Sequence, residues 1–276
     1  MSEKLLEIKH LEISFKTDEG IIPTIKDVSI HVNKGETITV VGESGSGKTV
    51  TVRSILGLVP APPAIYTTGE IMFEGKDLFK ASDENWRTIR GSEISMVFQD
   101  PMTALNPVFT IGDQMANIYL YQGKKSTHSK LAKRKKNLRK DADARSLELL
   151  EKMSLPNPAA LLKRYPFELS GGMKQRIIIA MALIKTPKLL IADEPGTALD
   201  VTVQASINSE LKRLVAEEGI SMIYITHNLS VARQLGERTY VMQYGRVIEE
   251  GPTDEVFLNP KNQYTKDLIK ALPRII

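Results

Sequence analysis

Cysteine is missing altogether from the 276 residues. That excludes disulfides, thiolate metal sites and cysteine-bound iron–sulfur clusters, and leaves the compartment open. Long hydrophobic runs are missing too. The longest uninterrupted one, Ile177 to Ile184, falls far short of the roughly 20 residues a spanning helix needs. The opening stretch, Met1 to Glu7, lacks an apolar core of signal-peptide length. Together these absences predict a cytoplasmic protein that meets a membrane only through partners. Charge of one sign is scarce: the net charge is +4 and the pI about 9.0, a weak hint of an acidic partner. The apolar share of 42% and charged share of 25% are those of an ordinary soluble protein, long enough for one large or two smaller domains.

What is present begins with Gly42-Glu43-Ser44-Gly45-Ser46-Gly47-Lys48-Thr49, the phosphate-loop pattern Gly-x4-Gly-Lys-[Ser/Thr]. Glu36 to Val41 is β-branched and apolar and reads as a strand. Val52, Ile55, Leu56 and Val59 recur at helical spacing, so a helix starts inside the motif. Phosphates need such a junction. Gly42, Gly45 and Gly47 let the backbone, with Ser44 and Ser46 between them, fold closely around the phosphates, and amides at a helix start point toward negative charge. Lys48 would reach the β- and γ-phosphates, and the Thr49 hydroxyl would take a Mg2+ position. The chain reads as nucleotide-binding.

The region from Leu5 to Val41 predicts strands, with a turn at Asp18 to Gly20. Phe15, near that turn, is either a core side chain or a face on which adenine stacks. Pro60, Pro62 and Pro63 interrupt the chain. Gly69 to Gly75 reads as a strand, Trp86 to Arg90 as a short amphipathic piece, and Ile94 to Phe98 as a strand ending at Gln99-Asp100-Pro101. Residues 110–166 turn helical, with a helix through Leu147, Leu149, Leu150 and Met153 that Pro156 and Pro158 terminate. Between Lys124 and Lys140 stand Lys125, Lys130, Lys133, Arg134, Lys135, Lys136 and Arg139. The run reads as a solvated face before a binding patch. It contains no aromatic side chain to stack on bases, and anionic lipid is the stronger of the binding options. Glu168 to Gly172 leads into an apolar helix, Leu189 to Asp193 forms a buried strand, and Val203, Ile207, Leu211, Leu214 and Val215 mark a helix that Gly219 closes. Ser221 to Thr226 is a strand, and a hairpin turns at Tyr244-Gly245. Strands alternating with helices predict a parallel α/β core.

Asp193 and Glu194 sit together at a strand end. Beside a triphosphate, Asp193 would hold the Mg2+ shell and Glu194 would orient or deprotonate the attacking water. His227 ends another strand, where it would hydrogen-bond the γ-phosphate and that water. A neutral amide such as Gln99 can touch Mg2+ or the water without adding charge. Ser170-Gly171-Gly172, opening a helix, is a second anion site by the same amide logic. Two such starts in one chain mean two ligands, or one ligand shared between two chains.

Leu169 to Arg176 resembles the signature of ATP-binding cassette (ABC) ATPases. With it stand a Walker A loop at 42–49, a Q-loop at Gln99, a Walker B strand at 189–193, a D-loop at Ala198-Leu199-Asp200 and a switch histidine at His227, in the family's order. Gly42 to Lys48, Gln99 to Pro107, Tyr165 to Ser170 and Gln263 to Ile269 are similar to the dipeptide/oligopeptide/nickel importer subfamily. The resemblance implies a RecA-like core with an antiparallel β-subdomain, a helical subdomain near 100–170 and a tail near 251–276, in one nucleotide-binding domain. It implies two such subunits, identical or paralogous, pairing head to tail. Lys48, Thr49, Asp193, Glu194 and His227 of one would face Ser170 and Gly172 of the other across each ATP, with Asp200 in the D-loop and Phe15 stacking on adenine. Gln99 would link the nucleotide to two transmembrane permease subunits, served by an extracytoplasmic solute-binding protein. The protein would work at the cytoplasmic face of the membrane, with no nucleic acid involved. Three positions depart from the pattern: Gly196 for a usual threonine, Asn228 for aspartate and Phe167 for histidine. None removes a catalytic group. The competing expectation is a soluble ABC-type ATPase acting on nucleic acid, ribosomes or an assembly machine.

Overall fold

The computed structural model describes residues 3–99, 101–121, 131–196 and 199–271. Asp100, Lys124, Lys125, Lys130 and Ala198 fall outside the described residues, as do the side chains of Lys133, Arg134, Lys135 and Lys136. The chain forms two compact units, one of residues 1–81 with 221–276 and one of residues 82–220.

The first unit opens with β1 (Lys4–Thr17), β2 (Gly20–Asn33), β3 (Thr37–Val41), α1 (Lys48–Ile55), β4 (Ala64–Phe73) and β5 (Lys76–Asp77). β1 and β2 form the expected hairpin, Thr17 opposite Gly20 and Lys4 opposite Asn33. β4 pairs antiparallel with the other edge of β1, giving the order β2-β1-β4-β5. It begins at Ala64, earlier than the Gly69 predicted from sequence, because Ala64, Ile65 and Tyr66 also lie in register with β1. β3, all five of whose residues are buried, belongs to a second sheet, and its unbroken apolar run suits a strand covered on both faces.

The second unit follows with α2 (Asp83–Ile89), β6 (Ile94–Val97), α3 (Pro101–Ala104), α4 (Ile111–Leu120), α5 (Leu131–Lys152), α6 (Pro158–Leu161), α7 (Gly171–Leu183), β7 (Leu189–Asp193) and α8 (Val201–Glu217). β6 and β7 pair in parallel, Val97 beside Ala192. The piece around Trp86 has the amphipathic character read from sequence: Trp86 and Ile89 are half-buried and the other residues of α2 exposed, and the Arg90 guanidinium lies 4.5 Å from the Trp86 ring. One sequence expectation is corrected here: Pro156 and Pro158 do not stop α5. The helix has already ended at Lys152, with Ser154 at φ +53°, and Pro158 occupies the first turn of α6 behind the Asn157 cap, where its missing N–H costs nothing. α7 is apolar around most of its circumference, and residues Ile177 to Leu183 are buried.

The chain returns to the first unit through β8 (Ser221–Thr226), α9 (Leu229–Leu235), β9 (Arg238–Gln243), β10 (Arg246–Pro252), α10 (Thr253–Leu258) and α11 (Gln263–Lys270). β3 lies between β8 and β9, parallel to both, and β10 closes the edge antiparallel to β9. The predicted turn at Tyr244-Gly245 joins β9 to β10. Val41, Leu229, Ala232, Val241, Val256 and Phe257 form a core cluster onto which Ile248, Tyr264, Leu268 and Ile269 pack. The last helix therefore lies against the end of β3 from which residue 42 departs. Among the described residues no helix is long and apolar enough to cross a membrane.

Candidate nucleotide site

The phosphate loop leaves the C-terminal end of β3. Val41 is level with Thr226 of β8 and with Val241 of β9, so residue 42, His227 and Met242 emerge side by side at one sheet end, where ligands of parallel sheets gather. Gly42 turns at φ +151°, and a Cβ there would stand 2.2 Å from the Met242 carbonyl oxygen. Only glycine lets the loop start so close to its neighbour strand. Ser46 is buried, and its carbonyl accepts the Gly245 N–H at 3.0 Å. The Lys48 side chain, 5% exposed, curls back over the loop, its Nζ donating to the carbonyls of Gly42 and Glu43, each at 2.8 Å. Ser44 and Gly45 are exposed at the tip.

α1 differs from most helices of the protein in how it starts. Ser82, Thr110, Asp200, Asn228 and Asn262 cap theirs with a side chain. At α1 the cap is Gly47, with no side-chain hydrogen bond and no acidic residue in the first turn. A start without its own acceptor suits an external anion. Thr49 stands in that first turn. The close fit of Gly42 against Met242, the buried lysine and the uncapped helix all agree with a bound polyphosphate.

His227 is exposed. Next to it, Asn228 Oδ1 accepts the N–H groups of Ser230 at 3.0 Å and Val231 at 3.4 Å. Asparagine caps as well as aspartate does, so the departure at 228 keeps the cap of α9. Phe15 is half-buried on β1, level with Ile22 and Ala64.

In the second unit the acids stand where β7 ends. Asp193 is buried and Glu194 half-buried. Glu194 has φ +48°, a left-handed backbone that costs a side-chain-bearing residue about 1–2 kcal/mol and clusters at functional sites. Gln99, leaving the adjacent β6, donates through Nε2 to Glu194 Oε2 at 3.2 Å. Sequence reasoning named both residues and missed their bond; the parallel register of β6 with β7 is what brings them together. The Asp193 carboxylate and the Gln99 amide oxygen of the second unit are hard donors of the kind Mg2+ takes, as is the Thr49 hydroxyl of the first unit. Among the described residues no group of three or more His, Cys, Asp or Glu side chains is placed to hold a metal ion.

Ser170 and Gly171 are exposed at the start of α7. Ser170 Oγ accepts the Met173 N–H at 3.3 Å, so this helix, unlike α1, is capped by its own serine. A Cβ on Gly171 would meet Leu199 at 3.3 Å and one on Gly172 would meet Val203 at 3.0 Å. The two glycines thus let α7 start directly against the segment leading into α8, whose cap is Asp200, accepting the Val203 N–H at 2.9 Å. Arg176 ties the same helices further along: its guanidinium donates to Ser206 Oγ at 3.1 Å, to the Met153 carbonyl at 2.7 Å and to Glu210. Sequence reasoning read Arg176 only as the end of a motif. Gly196 has φ +98°, a backbone that a β-branched threonine avoids. Phe167 is 72% exposed and stacks on Tyr165, centroids 5.6 Å apart.

Comparison with known proteins agrees with these features. The sequence profile of the family described as "ABC transporter" matches residues 25–197. Over 272 residues the chain is 46% identical to the oligopeptide transport ATP-binding protein OppD of Bacillus subtilis (strain 168), covering 99% of this chain and 73% of that protein. Over 273 residues it is 46% identical to the dipeptide transport ATP-binding protein DppD of the same organism, covering 99% and 78%. Among solved structures, the dimeric post-hydrolysis state of the ATP-binding cassette MJ0796 bound to ADP and Pi superposes with a TM-score of 0.73 at 29% identity, covering 90% of this chain and 98% of that one. CbiO1 from Clostridium perfringens, part of the ABC transporter complex cbiONQ, gives a TM-score of 0.74 at 25% identity, covering 99% and 98%. The fold is accordingly that of a RecA-like P-loop ATPase core with an antiparallel β-sheet and helices carrying the signature, and the chain belongs to the ABC transporter family.

Proposed function

We propose that this chain is the ATP-hydrolysing subunit of an importer for di- or oligopeptides, or for a similar small solute such as a nickel complex. What carries the reading is the 46% identity to OppD and DppD across 99% of the chain, with the phosphate loop and the paired acids at its centre. The relatives favour it over a soluble ATPase acting on nucleic acid or ribosomes.

In this reading Gly42, Ser44, Gly45, Ser46, Gly47 and Lys48 hold the β- and γ-phosphates of ATP and Phe15 stacks on the adenine. Thr49, Asp193 and Gln99 hold Mg2+, which when bound neutralises charge on the phosphate oxygens. Glu194 takes a proton from water as the oxygen bonds to the γ-phosphorus, and the bond to the ADP oxygen breaks. His227 donates to the γ-phosphate. Ser170 and Gly171, exposed at a helix start, and the half-buried Gly172 meet the γ-phosphate of ATP on a second subunit, identical or paralogous, with Asp200 nearby. ATP closes such a pair because its phosphates complement both faces; phosphate loss opens it. The permease subunits dock in the cleft beside the helical subdomain near 100–170, where Gln99 links them to the nucleotide state; they are served by an extracytoplasmic solute-binding protein, and the assembly works at the cytoplasmic face of the membrane. Rate enhancement then comes from positioning and preorganised charge.

Glu194→Gln tests the assignment. It should abolish ATP turnover, leave ATP binding intact and trap a dimer; hydrolysis near the wild-type rate would refute the role. Extraction in mild detergent should bring multispanning partners with the chain, and nucleic acid should not stimulate its ATPase.

A further inference from the structure

The phosphate loop is pinned from outside at two points. At its exit the Ser46 carbonyl accepts the Gly245 N–H at 3.0 Å. At its entry the Glu43 N–H donates to the hydroxyl of Tyr264 at 3.1 Å, a side chain 221 positions away in α11. Between the pins lie the exposed residues Ser44 and Gly45, whose amides a phosphate would meet.

Tyr264 reaches the loop because α11 is fastened at its own start. Glu249 on β10 accepts the N–H of Lys261 at 2.7 Å on one carboxylate oxygen and that of Asn262 at 3.1 Å on the other. Asn262 Oδ1 then accepts the Tyr264 N–H at 2.9 Å, capping the helix. The Tyr264 ring packs on the cluster containing Val41 and Val241, with Leu268 and Ile269 beside it. The ring is thus held by packing and the helix by Glu249, while the hydroxyl is directed at a single loop amide. Nothing about the packing of α11 requires that hydroxyl, since phenylalanine fills the same space.

We propose that Tyr264 is a positioning residue for the phosphate loop: by accepting the Glu43 N–H it fixes the first peptide of the loop, so that α11 sets the loop's affinity for the polyphosphate of ATP. This rests on the reading of residues 42–49 as the nucleotide site. A loop held in its binding shape before the ligand arrives loses less freedom on binding. Without the acceptor the Gly42–Glu43 peptide is held only from within the loop, through the Lys48 Nζ on the Gly42 carbonyl, and the amides of Ser44 and Gly45 must be ordered more by the ligand itself.

The test is Tyr264→Phe, which removes one oxygen and keeps the ring. The dissociation constant and KM for MgATP should rise about three- to tenfold, the range expected for one hydrogen bond. kcat should stay within about twofold, the ligand-free melting temperature within about 2 °C, and the Glu43 amide should exchange its hydrogen faster. A merely structural tyrosine would move the melting temperature and leave the affinity of the folded fraction alone. Leu268→Ala separates the two, because it loosens the packing of α11 without touching the hydroxyl; it should lower the melting temperature more than it weakens MgATP binding. Should Tyr264→Phe fail to fold, Glu249→Gln, which weakens the fastening of α11, should weaken MgATP binding in its place. Unchanged affinity and exchange in Tyr264→Phe, beside a wild type that binds MgATP, would overturn the proposal alone. A wild type that does not bind MgATP would instead overturn the nucleotide reading beneath it.

Discussion

Replacing Gly245 by alanine should be among the costliest single-methyl changes the first unit can undergo. The residue turns between β9 and β10 at φ +79°, and an added Cβ would lie 2.1 Å from the carbonyl oxygen of Thr24 and 2.9 Å from its carbon. Both are backbone atoms of a paired strand, so no rotamer relieves the contact. The left-handed backbone alone costs an alanine about 1–2 kcal/mol. Restoring an ordinary carbon–oxygen contact of about 3.3 Å requires the turn to retreat by roughly 1 Å. That retreat breaks two hydrogen bonds, Lys26 N–H to the Gly245 carbonyl at 2.8 Å and Gly245 N–H to the Ser46 carbonyl at 3.0 Å, each worth about 1 kcal/mol. The sum is about 3–4 kcal/mol, or a fall of roughly 5–7 °C in the melting temperature of a chain of 276 residues. Gly219→Ala is the control. Its φ is +65°, but nothing lies within 4 Å of the added carbon, so only the backbone term applies, about 1 kcal/mol. Thermal and urea denaturation of both variants, with MgATP affinity measured in parallel, decide the matter. Equal losses in the two would refute the steric argument. A Gly245→Ala protein that is destabilised yet binds MgATP as tightly as wild type would show that the Ser46 pin does not matter to the loop.

For Lys48→Ala the expected outcome, read by calorimetry or fluorescent nucleotide titration, is a loss of MgATP affinity of more than about tenfold; binding within twofold of wild type would count against the loop assignment. A pH prediction comes from Glu218, which joins α8 to α5. Its carboxylate accepts from Arg145 at 2.9 Å and from Lys152 at 3.0 Å. The Arg145 hydrogen bond first, and then Lys152, outweigh burial and hold its pKa below the ordinary 4.5. A depressed folded-state pKa means stability that is present above the unfolded value and lost as pH falls through the folded one. Glu218→Gln should therefore cost about 2 kcal/mol at pH 7, with the gap to wild type shrinking as denaturation is measured below about pH 4.5; a gap that stays constant to pH 3 would exclude this ion pair as its source.

Much of the site was legible because it is local. The run from Val41 through Thr49 declares strand, glycine turn and helix within nine positions, and Leu189 to Glu194 declares a buried strand with acids at its end. Periodicity reads such segments directly. It failed at Pro158, where a residue that breaks helices also begins them. There local composition was compatible with two physical roles, and tertiary context chose between them.

The supports of the loop were illegible for a different reason. Tyr264 and Gly245 touch it from 221 and 199 positions downstream of Glu43 and Ser46, and a contact at that separation leaves no mark in any window of sequence. In sequence Tyr264 is part of a tail segment that resembles a subfamily, with no chemistry in its spacing, and Gly245 reads simply as a turn. Both matter only because β9 runs parallel to β3 and delivers its hairpin, and the helix packed behind it, to the end of the sheet where the loop begins. A binding motif names the atoms that meet the phosphate. The stiffness with which those atoms are held is decided by elements that follow the signature helix in sequence, and an assay that truncates or loosens them while sparing residues 42–49 is the direct way to separate the two.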